Sequence, residues 1–167
     1  MKRYFVILSL FTAIVLTTTR GQAQNDATPG FSKLKSLAGE WEATGLDGQL
    51  VKISYQIISG GSAVMETRVP DKEPSMVSVF HLDDGKLVMS HYCSAGNQPR
   101  MQADAVKGEI KGLNFTFLSI TNLTKASDGH MHHLAFTFHD KNHVTQVWTW
   151  RENGKEMPAT FELVRKR

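Results

Sequence analysis

Between Ser90 and Met101 the chain sets a histidine, a tyrosine, its single cysteine, two carboxamides and an arginine within twelve positions, Ser90-His91-Tyr92-Cys93-Ser94-Ala95-Gly96-Asn97-Gln98-Pro99-Arg100-Met101. On an extended segment residues i and i+2 share a face, so His91 and Cys93 project together, and imidazole with thiolate suits zinc or copper. A third ligand would come from His130-Met131-His132-His133 on another strand. Only alternate residues share a face there, so His132 or His130 is the candidate, while His133 and His139 turn to water. A nucleophilic reading would use Cys93 as the thiol, His91 as its base and Asn97 as an oxyanion donor. Glu66 is a candidate buried acid or base, or else a partner for Arg68. The same residues also have a reading without chemistry, in which Cys93 is a small buried side chain and His91 a hydrogen-bonded core histidine.

Gly96-Asn97-Gln98-Pro99-Arg100 reads as the turn after that strand, since Gly96 tolerates positive φ and Pro99 holds Gln98 extended. Asn97, Gln98 and Arg100 could converge at the end of the fold on a carboxylate or phosphate, with Arg100 a two-pronged donor. Alternatively, the two amides satisfy stray backbone groups of an irregular loop.

These residues must be positioned by strands. Phe31, Leu34 and Leu37 recur at helical spacing and predict one short helix over 31–38, ended by Gly39. After Trp41 the period becomes two, predicting strands at 40–46, 49–58, 62–69, 75–82, 86–93, 100–106, 110–120, 131–139, 143–151 and 159–165. Turn signals such as Asp47-Gly48, Asp83-Asp84-Gly85, Lys107-Gly108, Asp128-Gly129 and Asn153-Gly154 separate them. Hairpin-length separations make neighbours antiparallel, and a strand-only chain hides its edges most simply by closing into an up-and-down β-barrel of about 8–10 strands. Alternation then sends Leu87, Met89, His91 and Cys93 inward, with His132, Leu134, Phe136 and Phe138 from one later strand and Val144, Gln146, Trp148 and Trp150 from the next.

Lys2 and Arg3 followed by the apolar run Tyr4 to Leu16 and the small-x-small site Gly21-Gln22-Ala23 predict an export signal at 1–23, a flexible leader at 24–30 and a barrel domain at 31–167. The run is short for a membrane span, so a protein in the periplasm or secreted, without stable membrane insertion, is expected. Lys2, Arg3 and Arg20 are three of the 19 basic residues, and without them the chain carries 16 basic against 16 acidic side chains. A nucleic-acid partner, which needs surplus Lys and Arg, is therefore not expected. With one cysteine there is no intrachain disulfide, and stability must come from the core.

The helix followed by Leu37-Ala38-Gly39-Glu40-Trp41, a Gly-x-Trp at the first strand, resembles the opening of lipocalins and the wider calycin group. The resemblance implies that Trp41 packs across the closed floor of the barrel and that Arg165, in Phe161-Glu162-Leu163-Val164-Arg165, lies over its ring. Ser90-His91-Tyr92-Cys93, Gly96 to Met101, Thr121-Asn122-Leu123 and His130-Met131-His132 are similar to a group of bacterial lipocalin-like proteins of unassigned function. That likeness carries a fold and no chemistry. Haem-binding barrels of the nitrobindin type are similar in outline, but the final strand here has no histidine to match their axial ligand.

Three functions follow. The first is binding of a small, mostly apolar ligand with a polar or anionic head, its lumen lined by Met65, Met89, Phe115, Phe117, Phe136, Phe138 and Trp148, and its head group held by His91, Cys93, Asn97, Gln98, Arg100 and His132. The second is a metal- or haem-binding barrel using His91, His132 and Cys93. The third is a small-molecule hydrolase or isomerase built on His91 with Cys93 or Glu66.

Overall fold

The computed structural model describes residues 28–45, 48–106 and 108–167. The expected export segment, residues 24–27 of the expected leader, Asp47 and Lys107 lie outside the described residues. Helix α1 spans Thr28–Lys35, three residues earlier at both ends than periodicity predicts, so residues 28–30 are helical rather than leader. Pro29 falls in the first turn, where its missing N–H has no intrahelical partner to lose. Gly30 is buried where a Cβ would stand 3.0 Å from Leu113 Cδ2. Past Lys35 the chain tightens, Leu37 N–H donating to Leu34 O and Ala38 N–H to Lys35 O. Leu37 therefore stays buried although it has left the helix.

Ten strands follow: β1 Gly39–Thr44, β2 Leu50–Ile58, β3 Ala63–Pro70, β4 Met76–Asp83, β5 Lys86–Tyr92, β6 Gln98–Ala103, β7 Gly112–Thr121, β8 His130–Phe138, β9 His143–Glu152 and β10 Lys155–Arg165. Each pairs antiparallel with its neighbour in sequence, and β1 pairs with both β2 and β10 to close the barrel. Two hairpins show why the order is so local. Asp84-Gly85 and Asn153-Gly154 each supply two residues at positive φ, the backbone that a two-residue turn between twisted strands demands.

Two strands start earlier than expected because a proline does not end them. Pro99 lies within β6, paired with Ile120, and Pro158 within β10, paired with Thr149. Pro158 is tolerated because β10 has a largely open side. Among the described residues β1 meets β10 only at Trp41–Arg165 and Glu42–Val164, and a proline at an unpaired edge forfeits no ladder bond.

Helix α1 plugs one end of the barrel with Phe31 and Leu34. Beneath it Phe80, Phe115 and Phe136 meet edge to face at centroid separations of 5.5 to 6.1 Å, joined by Met89, Met101 and Leu134, all with essentially no exposed surface. Met89, Phe115, Phe136 and Phe138 thus form a packed core rather than the walls of a lumen, and a cavity among the described residues opens toward the opposite end. At the plugged end Trp41 Nε1 donates to Leu37 O at 2.8 Å, and the Arg165 guanidinium lies 4.2 Å from the Trp41 ring centroid, a contact worth about 0.5–2 kcal/mol. Arg165 also donates to Ala38 O and Ser36 O, tying the last strand to the helix. No described helix is long and apolar enough to cross a membrane.

Candidate functional site

At the unplugged end a cavity of about 100 Å³ is lined by Val51, Arg68, Met76, His91, Trp148 and Phe161 among others. It lies where β1 and β10 part, which is how Phe161 of β10 comes to face Val51 of β2. His91 is on the inner face of β5 as alternation predicts, 2% exposed, with its ring 4.8 Å from that of Trp148. Arg68 reaches the cavity from β3, where Val64, Glu66, Arg68 and Pro70 are all buried on one face. Its guanidinium sits 4.6 Å from the Phe161 ring and 5.7 Å from the Trp148 ring.

A polar network holds these groups. Tyr55 O–H donates to Glu66 Oε2 at 2.7 Å, and Gln146 Nε2 donates to the same oxygen and to Tyr55 Oη, each at 2.7 Å. Arg68 Nη2 donates to Glu66 Oε1 at 3.4 Å and to Gln146 Oε1. Trp148 Nε1 donates to Gln146 Oε1 at 3.2 Å. Burial and the neighbouring Glu66 push the Tyr55 phenol well above its usual range, so it serves as a donor. Glu66 is the counter-ion of Arg68 and is spent on structure, which removes it as a free acid or base.

After those bonds, three buried nitrogens in the cavity wall still have no partner: Arg68 Nε, Arg68 Nη1 and His91 Nε2. Buried donors are almost always satisfied in native proteins, and one left over marks a place where something else binds or where energy is stored. His91 Nδ1 lies 3.0 Å from Ser78 Oγ. Burial, and then the adjacent Arg68, lower the His91 pKa to about 4, so the ring is neutral near pH 7.

The other expected head-group residues lie elsewhere. Cys93 falls beyond the end of β5, half-buried in the turn closed by Cys93 N–H to Asn97 O. Burial pushes its thiol up, away from the reactive thiolate. His91 is bonded to Ser78 and Cys93 lies outside the strand, so a Cys93–His91 nucleophile and base is not formed. Asn97 is buried and donates to Gly129 O at 2.9 Å. Gln98 donates to Gly96 O and accepts from Thr121 and Asn122, and both amides therefore serve the loops. Arg100 is a β6 residue on the outer face, 3.8 Å from Asp83. Because the strand begins at Gln98, alternation turns Arg100 away from the barrel mouth. Met65 likewise faces outward from β3.

His132 is displaced by a β-bulge. Met131 pairs with Trp150 and His133 with Thr149, leaving His132 as the extra residue. The bulge turns Met131 into the mouth cavity and His132 to the outside. There it stacks on Phe117 at 4.9 Å and lines a lateral cleft of about 350 Å³ opened where β7 and β8 stop pairing after Thr116–His133. Phe117 belongs to this cleft and not to the lumen. Arg151 Nη1 lies 3.0 Å from His132 Nε2, His132 Nδ1 lies 3.2 Å from His130 Nε2, and His130 Nδ1 lies 3.0 Å from Asp128 O. A guanidinium can only donate and a carbonyl can only accept, so each proton in this chain has one place: Arg151 donates to His132, His132 to His130, and His130 to Asp128 O. Neither ring keeps a lone pair for a metal ion. His91, Cys93 and His132 are thus not assembled, and among the described residues no three His, Cys, Asp or Glu side chains are grouped to hold a metal. The lateral cleft is larger, but its imidazole nitrogens are already bonded. The mouth cavity keeps unpartnered donors, and that chemistry selects it.

No protein-family model and no curated protein matches the sequence. The fold has a solved counterpart. The structure titled "Crystal Structure of Rv2717c from M. tuberculosis" is similar to this chain with a TM-score of 0.59 and 13% sequence identity, over 83% of this chain and 98% of that one. At that identity the likeness is one of fold alone, a ten-stranded antiparallel barrel in the present chain, compatible with binding a small molecule.

The mouth is framed by the turn Cys93–Asn97 and the loop ahead of β8, joined by the Asn97 to Gly129 bond. A Cβ on Gly129 would stand 2.0 Å from Trp150 Cζ2, so the indole must move. Gly129→Ala is expected to cost about 1–3 kcal/mol by overpacking, read from urea unfolding; a midpoint within error of the parent protein would show that Trp150 yields freely.

Sequence reasoning missed Arg68 as a site residue and did not include Ser78, Tyr55 or Phe161. A usable signal was present on β3, where Val64, Glu66 and Arg68 share a face, since opposite charges two apart on an inward face imply a buried pair.

Proposed function

We propose that this barrel is a lipocalin-like binding protein that holds a small organic anion at its mouth. Arg68 and His91 engage the head group, and Trp148, Phe161 and Met76 contact a short apolar body. The observation that carries the reading is the set of three buried nitrogens without partners in one cavity wall. A charge-assisted hydrogen bond from such a donor contributes about 1.5–3 kcal/mol. The cavity of about 100 Å³ is smaller than pockets that enclose drug-sized ligands, roughly 300–1,000 Å³, so the guest is small or leaves its tail in the open mouth. The lipocalin-like assignment draws support from the helix ahead of Gly39-Glu40-Trp41 and from Arg165 over Trp41. If the signal at 1–23 acts as its sequence suggests, the binding takes place outside the cytoplasm.

The double variant Glu66→Gln/Arg68→Gln keeps hydrogen-bonding side chains and a zero sum of buried charge. It is expected to fold, by circular dichroism, and to bind benzoate at least tenfold more weakly than the parent protein in titration calorimetry. Equal affinity in a folded variant would remove Arg68 from the head-group role.

A further inference from the structure

Inside the wall of the mouth cavity the buried charges cancel. Glu66 accepts from Tyr55, Gln146 and Arg68 through both oxygens, and none of the three needs a proton from it. Arg68 is its counter-ion at 3.4 Å, both side chains being almost fully buried. A monoanion entering beside them leaves this buried region with one negative charge in excess. An uncompensated buried charge is costly enough that proteins change protonation state to avoid it.

One buried group in the cavity wall can restore neutrality, since Glu73, the other titratable side chain of the lining outside the Glu66–Arg68 pair, is exposed to solvent. His91 lines the cavity with Arg68, its Nε2 has no partner, and its Nδ1 rests against Ser78 Oγ. The serine hydroxyl donates to a neutral ring or accepts from a charged one by turning about its own C–O bond. With Ser78 donating to Nδ1, the neutral ring already points its Nε2–H at the guest; the second proton enters at Nδ1 as the hydroxyl turns from donor to acceptor, with no rearrangement of the backbone.

We propose, resting on the reading above, that the cavity takes up a small carboxylate together with one proton from solvent, which His91 carries, so that site and guest close as a neutral sum. The groups around His91 are consistent with this. From β3 come Glu66 and Arg68, which cancel; from β2 comes Tyr55, a neutral donor; from β4 comes Ser78; from β9 come Gln146 and Trp148, uncharged; and at the rim Glu73 lines the same cavity. Without an anion beside it the ring is neutral, with a pKa of about 4 set by burial and Arg68. A carboxylate against Nε2 opposes both causes and raises that value.

By linkage, affinity then weakens as pH rises through the window between about 4 and the raised value, because the bound state holds a proton that the free state does not. The test is titration calorimetry of the unaltered protein with acetate and with benzoate at pH 5.5 to 7.5, in two non-carboxylate buffers of different ionisation enthalpy. The expected result is uptake of about one proton per carboxylate at the acidic end, with Kd weakening about tenfold per pH unit. In Glu66→Gln the buried sum before binding is one positive charge, so carboxylate should bind with no proton uptake and a Kd flat in pH. In His91→Gln the uptake should likewise vanish. Binding by the unaltered protein with no proton taken up at any pH in the series would overturn the coupling and leave the carboxylate site standing. Failure of both probes to bind would overturn the reading it rests on as well.

Discussion

Glu66→Ala is expected to cost about 3–5 kcal/mol of folding stability, the range found when one partner of a buried ion pair is removed. The side chain accepts three hydrogen bonds, from Tyr55, Gln146 and Arg68, and its loss leaves a guanidinium sealed in the barrel wall with no counter-charge. Replacing both members of such a pair with apolar side chains of similar volume is often neutral or stabilising, so Glu66→Leu/Arg68→Met should recover the share of the loss that comes from the unpaired guanidinium, while Tyr55 and Gln146 still lack their carboxylate acceptor. Chemical denaturation of the three proteins decides the matter. A single variant within 1 kcal/mol of the parent would show that Arg68 finds water when Glu66 is gone.

The second large effect concerns acid. In an unfolded chain an imidazole takes its proton near pH 6.5, whereas His91 in the folded protein does so at about 4. Between those values the unfolded state binds more protons, so stability must fall as pH falls through this window and be whole above it. The difference amounts to about 3 kcal/mol once pH is below 4. It reflects mainly the burial of the ring, and next its neighbour Arg68. Urea unfolding at pH 7, 5.5 and 4.5 should show the parent losing stability faster than His91→Gln, and parallel profiles would contradict this account of His91. Saturating carboxylate should flatten the parent's profile, because a guest that favours the protonated ring removes the penalty.

Much of the fold is legible in the residues themselves. Alternation over Leu87, Met89 and His91 correctly places the imidazole inside, and Asp84-Gly85 and Asn153-Gly154 mark hairpins because few other residue pairs accept that backbone. What fails to transfer is anything that depends on a partner strand. His132 was expected inside because Leu134 and Phe136 are inside; a single extra residue, absorbed in pairing with β9, reverses it. Arg100 was expected at the mouth because Pro99 looks like a turn residue, yet β6 runs through it. The filled centre was not legible either, since whether Phe80, Phe115 and Phe136 line a space or close it depends on distances across the barrel. The site itself is half visible in the sequence: alternation sets His91 and Trp148 inside, but the guanidinium beside them reads only as a possible partner for Glu66.

The seam between first and last strands has one more consequence. Near the helix it is riveted: Arg165 grips Ser36 and Ala38, Lys166 N–H reaches Glu40 O, and Lys166 Nζ holds Glu42. Toward the other rim no ladder pair joins the two strands among the described residues. Such a sheet behaves like a bound book, fixed along its spine and free at its leaves. Parting the leaves breaks few rungs, each with a net contribution of about 0.5–1.5 kcal/mol, against the roughly 5–15 kcal/mol that hold a whole domain together. If the proposed binding holds, a guest is expected to enter by a local parting of this wall, with the aromatic heart of the molecule undisturbed.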